Sequence, residues 1–139
     1  MMNSKKNILF LCTGNSCRSQ MAEGIMRQYY SDEFDVFSAG TNPSSLNPHA
    51  VSVMNETGID ISSHSSKSVE LYLDKSFDYV ITVCDDAKET CPVFPGGVDK
   101  KLHWSFEDPA DAEGSDEEIS EIFREVRDLI KNKITSYFG

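Results

Sequence analysis

Cys12 and Arg18 are separated by five residues, Thr13-Gly14-Asn15-Ser16-Cys17, and Ser19 follows directly. A short loop of this kind between a strand and a helix turns successive backbone N–H groups inward. They form a nest for a tetrahedral oxyanion, and the helix N-terminus adds positive potential. Thr13, Gly14, Asn15, Ser16, Cys17 and Arg18 are therefore the expected oxyanion-binding residues. Gly14 permits unusual backbone angles and Asn15 tolerates left-handed ones. Arg18 can grip two oxygens as a fork. The same field is expected to lower the pKa of Cys12 and make it a nucleophilic thiolate. Ser19 is placed to donate a hydrogen bond to that sulfur. Asp108-Pro109, taken alone, is an ordinary Asp-Pro turn after a predicted strand. Cys84 and Cys91 are two further thiols. Taken alone they are a strand-end cysteine and a loop cysteine. No zinc-type spacing joins them, and His49, His64 and His103 form no ligand motif, so no metal is expected.

These residues need a scaffold. Residues 7–11 include Ile8-Leu9-Phe10-Leu11, an apolar run that suits a strand buried on both faces of a parallel sheet. Residues 18–30 carry Met21, Ile25, Met26 and Tyr29 at helical spacing. Residues 34–38 suit a second strand ending near Gly40. Asn47-Pro48 starts a helix with a capping side chain and a proline at its first position. That helix extends toward Gly58. Residues 69–73 suit a weaker helical stretch, 78–83 a β-branched strand, and 102–106 a short fourth strand. Ser115 and Glu118 form a capping box for a last helix. Its apolar stripe is Ile119, Ile122, Phe123, Val126, Leu129, Ile130, Ile134 and Tyr137. Alternating strands and helices predict an α/β sandwich with a parallel sheet, whose ligands bind beyond the carboxyl ends of the strands. Cys12, Cys84 and Asp108 all follow predicted strands.

The chain has 139 residues, enough for one domain spanning 1–139. Its net charge of −10 is that of a protein repelled by nucleic-acid backbones. No apolar stretch approaches membrane-spanning length. The run after Lys5 and Lys6 is too short for an export signal. A reducing, cytoplasmic setting is expected, with reactive or buried thiols in place of structural bridges.

The segment from Cys12 to Ser19 resembles the phosphate loop of low-molecular-weight protein tyrosine phosphatases and their arsenate reductase relatives. Its continuation, Gln20-Met21-Ala22-Glu23-Gly24, resembles the thioredoxin-coupled reductase branch. The resemblance continues through Ser38-Ala39-Gly40, Leu46-Asn47-Pro48, Gly58 to Ser62, Cys84 to Pro92, His103-Trp104, Phe106 and Asp108-Pro109-Ala110. It implies a three-layer, flavodoxin-like sandwich around four parallel strands. It also implies a monomeric arsenate reductase in which Cys12 attacks arsenate, Asp108 acts as general acid, and Arg18 and Ser19 assist. Cys84 then attacks Cys12 and Cys91 attacks Cys84. Thioredoxin reduces the final Cys84–Cys91 bridge. The alternative is a low-molecular-weight tyrosine phosphatase, which needs only Cys12, Arg18 and the acid. Those enzymes usually carry an aromatic residue after the Asp-Pro, where this chain has Ala110. Some reductases of this family bind potassium through equivalents of Asn15, Glu23, Ser38, Ser65 and an acidic residue. Lys67 stands in that acidic position, so its ammonium is expected to replace the cation and no cofactor is implied.

Geometry adds one expectation. If residues 85–90 are helical in the reduced protein, Cys84 and Cys91 are about 10.5 Å apart along the axis. A disulfide requires Cα atoms within roughly 7 Å. Bridging the pair would then unwind the segment, and Pro92 would ease the change.

Overall fold

The computed structural model describes residues 5–84 and 91–139. Four strands form one parallel sheet in the order β2-β1-β3-β4. They are β1 (Lys6–Cys12), β2 (Phe34–Gly40), β3 (Phe77–Thr82) and β4 (Val98–His103). The central strand β1 is apolar because it is covered on both faces: Ile8, Leu9, Phe10 and Leu11 are all fully buried. Its register pairs Cys12 with Gly40 and Leu11 with Thr82, so the carboxyl ends of three strands finish together.

Helices α1 (Arg18–Tyr30), α2 (Pro48–Asn55) and α3 (Asp116–Phe138) pack on one another. Asn47 caps α2 by accepting from the His49 amide at 2.8 Å. The Ser115–Glu118 capping box starts α3 as expected. Phe123, Val126, Ile130 and Ile134 make the buried face of α3. Leu129 and Tyr137, assigned to that stripe from the sequence, are 55% and 43% exposed. Phe138 joins the core in their place, edge-on to Phe34 and Tyr79. A 3-10 turn, Val69–Tyr72, packs against β2.

Two boundaries differ from the sequence reading. Helix α2 stops at Asn55, and its turn closes through the Ile59 amide to the Met54 carbonyl, with Gly58 left-handed at φ 81°. The fourth strand begins at Val98 and ends at His103, four residues before the expected start and three before the expected end. It is an edge strand whose Asp99, Lys100 and Lys101 are exposed, so it lacks the apolar signature that marks β1. Residues 104–108 consequently form an extended connection that carries Asp108 back over the sheet end. The expected helix over residues 85–90 lies outside the described residues.

Candidate active site

Strand β1 delivers Cys12 to the sheet end, and α1 starts six residues later with Arg18, leaving residues 13–17 as the loop. The loop is held from outside. The amides of Thr41, Asn42, Ser44 and Asn47 donate to the carbonyls of Cys12, Thr13, Gly14 and Ser16 at 2.9–3.1 Å. The Asn15 carbonyl accepts from Ser66 Oγ at 2.7 Å and Gln20 Nε2 at 3.2 Å, and the Cys17 carbonyl from the Met21 amide at 2.8 Å. With its carbonyls drawn outward, the loop keeps its N–H groups for the inner side, as a nest requires. The bracing role of residues 41–47 was not legible in the sequence, where only Asn47 carried a signal.

Asn15 is the left-handed residue, at φ 50°. It is fully buried, and its amide donates to Ser19 Oγ at 2.8 Å and Ser38 Oγ at 3.0 Å. Its Oδ1 accepts from the Lys67 amide at 2.9 Å and Gln20 Nε2 at 3.0 Å. Gly14, expected to supply unusual backbone angles, is not at positive φ. It instead leaves room for Ser44, whose Oγ would lie 3.0 Å from an added Cβ. Gly40 is required more strictly, since a Cβ there would collide with the Thr13 carbonyl.

Cys12 Sγ lies 2.8 Å from Ser19 Oγ and accepts from the Asn15 amide at 3.2 Å. Burial nevertheless pushes the Cys12 thiol up, and the Ser19 and Asn15 hydrogen bonds oppose it. This corrects the expectation of a thiol lowered by the loop's field. The physical reason is burial: Cys12 is 3% exposed, and the cost of desolvating a thiolate there outweighs the Ser19 and Asn15 hydrogen bonds. Arg18 Nη2 pairs with Asp108 Oδ2 at 3.3 Å, and Nη1 donates to the Phe106 carbonyl at 3.1 Å. Its Nε is buried with no hydrogen-bond partner. Cys17 faces Asp108 Oδ1 at 3.7 Å, and burial, reinforced by that carboxylate, pushes its thiol to about 11.

Cys84 is 3% exposed, with its sulfur 3.5 Å from Thr13 Oγ1. A cavity of about 520 Å3 joins Thr13, Arg18, Cys84 and residues 105–108. The loop after Cys12, the Cys84 thiol, Arg18 and Asp108 thus meet at one place. Cys91 is half-buried and borders a separate cavity of about 230 Å3 with Thr82, Lys101 and His103. Burial pushes its thiol up and Lys101 pulls it down. All four cysteines are free thiols.

Behind the loop, Glu23 is 3% exposed at its side chain, accepts from Ser38 Oγ, and pairs with Arg27 at 2.8 Å. Lys67 Nζ donates to the Ser65 carbonyl at 2.8 Å and lies 3.8 Å from Glu23 Oε1. His64 Nδ1 meets Gln20 Oε1 at 2.9 Å, and burial lowers its pKa against the pull of Glu23. Arg27 and Lys67 already face the buried Glu23 carboxylate, and Asn15 Oδ1 is filled by two donors, so these residues do not fit an added potassium ion.

The model of the low molecular weight phosphotyrosine protein phosphatase family matches residues 7–138. An arsenate reductase of Shouchella clausii is 52% identical over 134 residues, covering 96% of each chain. A solved arsenate reductase in a phosphate-binding state superposes with a TM-score of 0.81 at 32% identity, covering 95% of each chain. A thioredoxin-dependent arsenate reductase of Corynebacterium glutamicum superposes with a TM-score of 0.64 at 29% identity, covering 98% of this chain and 63% of that one. The chain belongs to the low-molecular-weight phosphotyrosine protein phosphatase family.

Proposed function

We propose that the protein reduces arsenate to arsenite with its own thiols and is regenerated by thioredoxin. The observation that carries this reading is Cys84, buried beside Thr13 in the same cavity as Arg18 and Asp108. A phosphatase has no use for a thiol there, whereas a reductase must supply two electrons.

The loop N–H groups and Arg18 bind arsenate. The proton that burial keeps on Cys12 passes to the arsenate dianion, leaving a thiolate and an arsenate monoanion. Cys12 Sγ attacks arsenic, and one arsenate oxygen leaves as water with a proton supplied by Asp108. Cys84 Sγ then attacks Cys12 Sγ. The sulfur–sulfur bond forms as the sulfur–arsenic bond breaks, and its electron pair stays on arsenic, which departs as arsenite. Ser19 stabilises sulfur as Cys12 forms and loses its bonds. Cys91 attacks Cys84 Sγ and releases Cys12 as a thiolate. A dithiol of the thioredoxin class reduces the Cys84–Cys91 bridge. The name of the Corynebacterium relative supports that choice of reductant. The reaction takes place in the cytoplasm, where thiols stay reduced, and no metal takes part. The Lys67 ammonium beside Glu23 and the Ser65 carbonyl performs the electrostatic work of a bound cation.

The test is arsenite production from arsenate with thioredoxin, thioredoxin reductase and NADPH. Turnover by the wild type that disappears in Cys84→Ser and Cys91→Ser supports the reading. Equal turnover in either variant contradicts it.

A further inference from the structure

Arg18 is the residue the loop offers to an oxyanion, yet its guanidinium is already held by an anion of the protein. Nη2 contacts Asp108 Oδ2 at 3.3 Å, Nη1 is taken by the Phe106 carbonyl, and Nε is buried without an acceptor. A buried donor left unbonded is destabilising. The arrangement is therefore a resting one, which a tetrahedral anion accepting from Nε and Nη2 would relieve.

Asp108 has two oxygens with different duties. Oδ1 accepts from the Ala110 amide at 3.0 Å, which anchors the carboxyl at the start of the Pro109–Asp111 turn. Oδ2 reaches Arg18. Losing Arg18 leaves the carboxyl in place through Oδ1 and frees Oδ2 into the cavity shared with Thr13 and Cys84. A carboxylate and a dianion cannot both hold one guanidinium edge without strong repulsion, and that repulsion falls when the carboxylate takes a proton.

We propose that Asp108 is the resting occupant of Arg18 and that substrate displaces it, so that oxyanion binding loads a proton from solvent onto Asp108 Oδ2. The inference rests on the reading of the loop as an oxyanion site and of Asp108 as the acid. It makes the acid's protonation a consequence of substrate binding. The proton that later leaves with water is then taken up in the binding step. Asp108 is thereby also a determinant of affinity, since ground-state binding must break an ion pair.

Other titratable groups near Asp108 are Cys17 against Oδ1, its chain neighbours Glu107 and Asp111, and Cys84 across the cavity. Cys12 lies within the loop, and His64 reaches it through Gln20 and Asn15. Helix α3 packs on the turn, but its Arg124 and Arg127 are bound to Glu56 and to acids of their own helix.

Sulfate is the probe, because it carries no titrating proton near neutrality. Cys12→Ser serves as the background, which removes the nucleophile's titration. Isothermal titration in two buffers of different ionisation enthalpy at pH 6.5 counts protons bound with sulfate. The expected result is an uptake approaching one proton and an affinity that rises up to tenfold per unit fall in pH. Adding Asp108→Asn should abolish the Asp108 share of the uptake, flatten the pH dependence and tighten binding at pH 7.5 by roughly tenfold. Asp108→Ala, checked for an unchanged melting temperature, should behave in the same direction. No proton uptake in the background protein, or weaker sulfate binding in both variants, would overturn the proposal. The arsenate reading is tested separately, because sulfate binding needs neither reduction nor the relay thiols.

Discussion

Thr13 Oγ1 lies 3.5 Å from Cys84 Sγ, joining the oxyanion loop to the thiol at the end of β3. The contact spans 71 residues of sequence, and the parallel pairing of β1 with β3 produces it by ending both strands at one level. In the proposed relay, this hydroxyl would orient the Cys84 sulfur for its attack on Cys12.

Thr13→Val keeps the shape and removes that hydroxyl. Loss of one such bond is worth about 1 kcal/mol, roughly a fivefold slowing. The slowing should appear in arsenite release, read by rapid quench, while sulfate affinity stays within twofold. A Thr13→Val protein releasing arsenite at the wild-type rate would remove Thr13 from the account.

Asn15 combines a left-handed backbone with side-chain bonds to Ser19, Ser38, Gln20 and the Lys67 amide. Asn15→Ala loses both and should destabilise the fold by about 2–4 kcal/mol. Asn15→Gly restores the backbone freedom alone and should recover about 1 kcal/mol of that. Urea denaturation of the three proteins measures both differences, and equal midpoints for Ala and Gly would show that backbone strain is not part of the cost.

Cys17 provides a pH test. Its thiol is pushed from 9.0 to about 11 by burial and by Asp108, so the folded protein holds the proton more tightly than the unfolded chain. The associated stability is therefore complete below pH 9 and is lost as pH rises toward 11. The shift corresponds to at most about 3 kcal/mol. Cys12 and Cys91 are raised too, so the wild-type denaturation midpoint should fall steeply above pH 9. Cys17→Ala should make that fall shallower. An unchanged slope would mean that Cys17 titrates normally.

Lys67 and Arg27 leave Glu23 no deficit of positive charge. Potassium chloride and sodium chloride at equal ionic strength should then give equal rates of arsenate reduction. Severalfold activation by potassium alone would show that a cation binds despite Lys67.

Much of this site was legible in the sequence because its parts are local. The strand, the loop of small polar residues and the helix after it are contiguous, so the meeting of Cys12, Asn15, Arg18 and Ser19 follows from chain order. The last helix declared itself through Ser115, Glu118 and a periodic apolar stripe. The position of β4 did not, because an exposed edge strand rich in lysine carries no alternation. The pairing of Arg18 with Asp108 was also invisible, since both are charged groups suited to a substrate and only packing shows that they satisfy each other. The raised thiol of Cys12 has the same origin. The loop's sequence announces donors, while the depth of the sulfur is set by strands and helices far along the chain.

The most direct test of the relay is a single turnover without any added reductant. Reduced protein is mixed with excess arsenate, arsenite and free thiols are counted, and the product is digested for disulfide mapping under acid. The expected result is one arsenite per protein molecule, the loss of two thiols, and a Cys84–Cys91 bridge in wild type that is replaced by Cys12–Cys84 in Cys91→Ser. Unchanged thiols with no arsenite, together with steady hydrolysis of an aryl phosphate, would contradict the relay and leave a phosphatase whose second and third thiols serve no catalytic end.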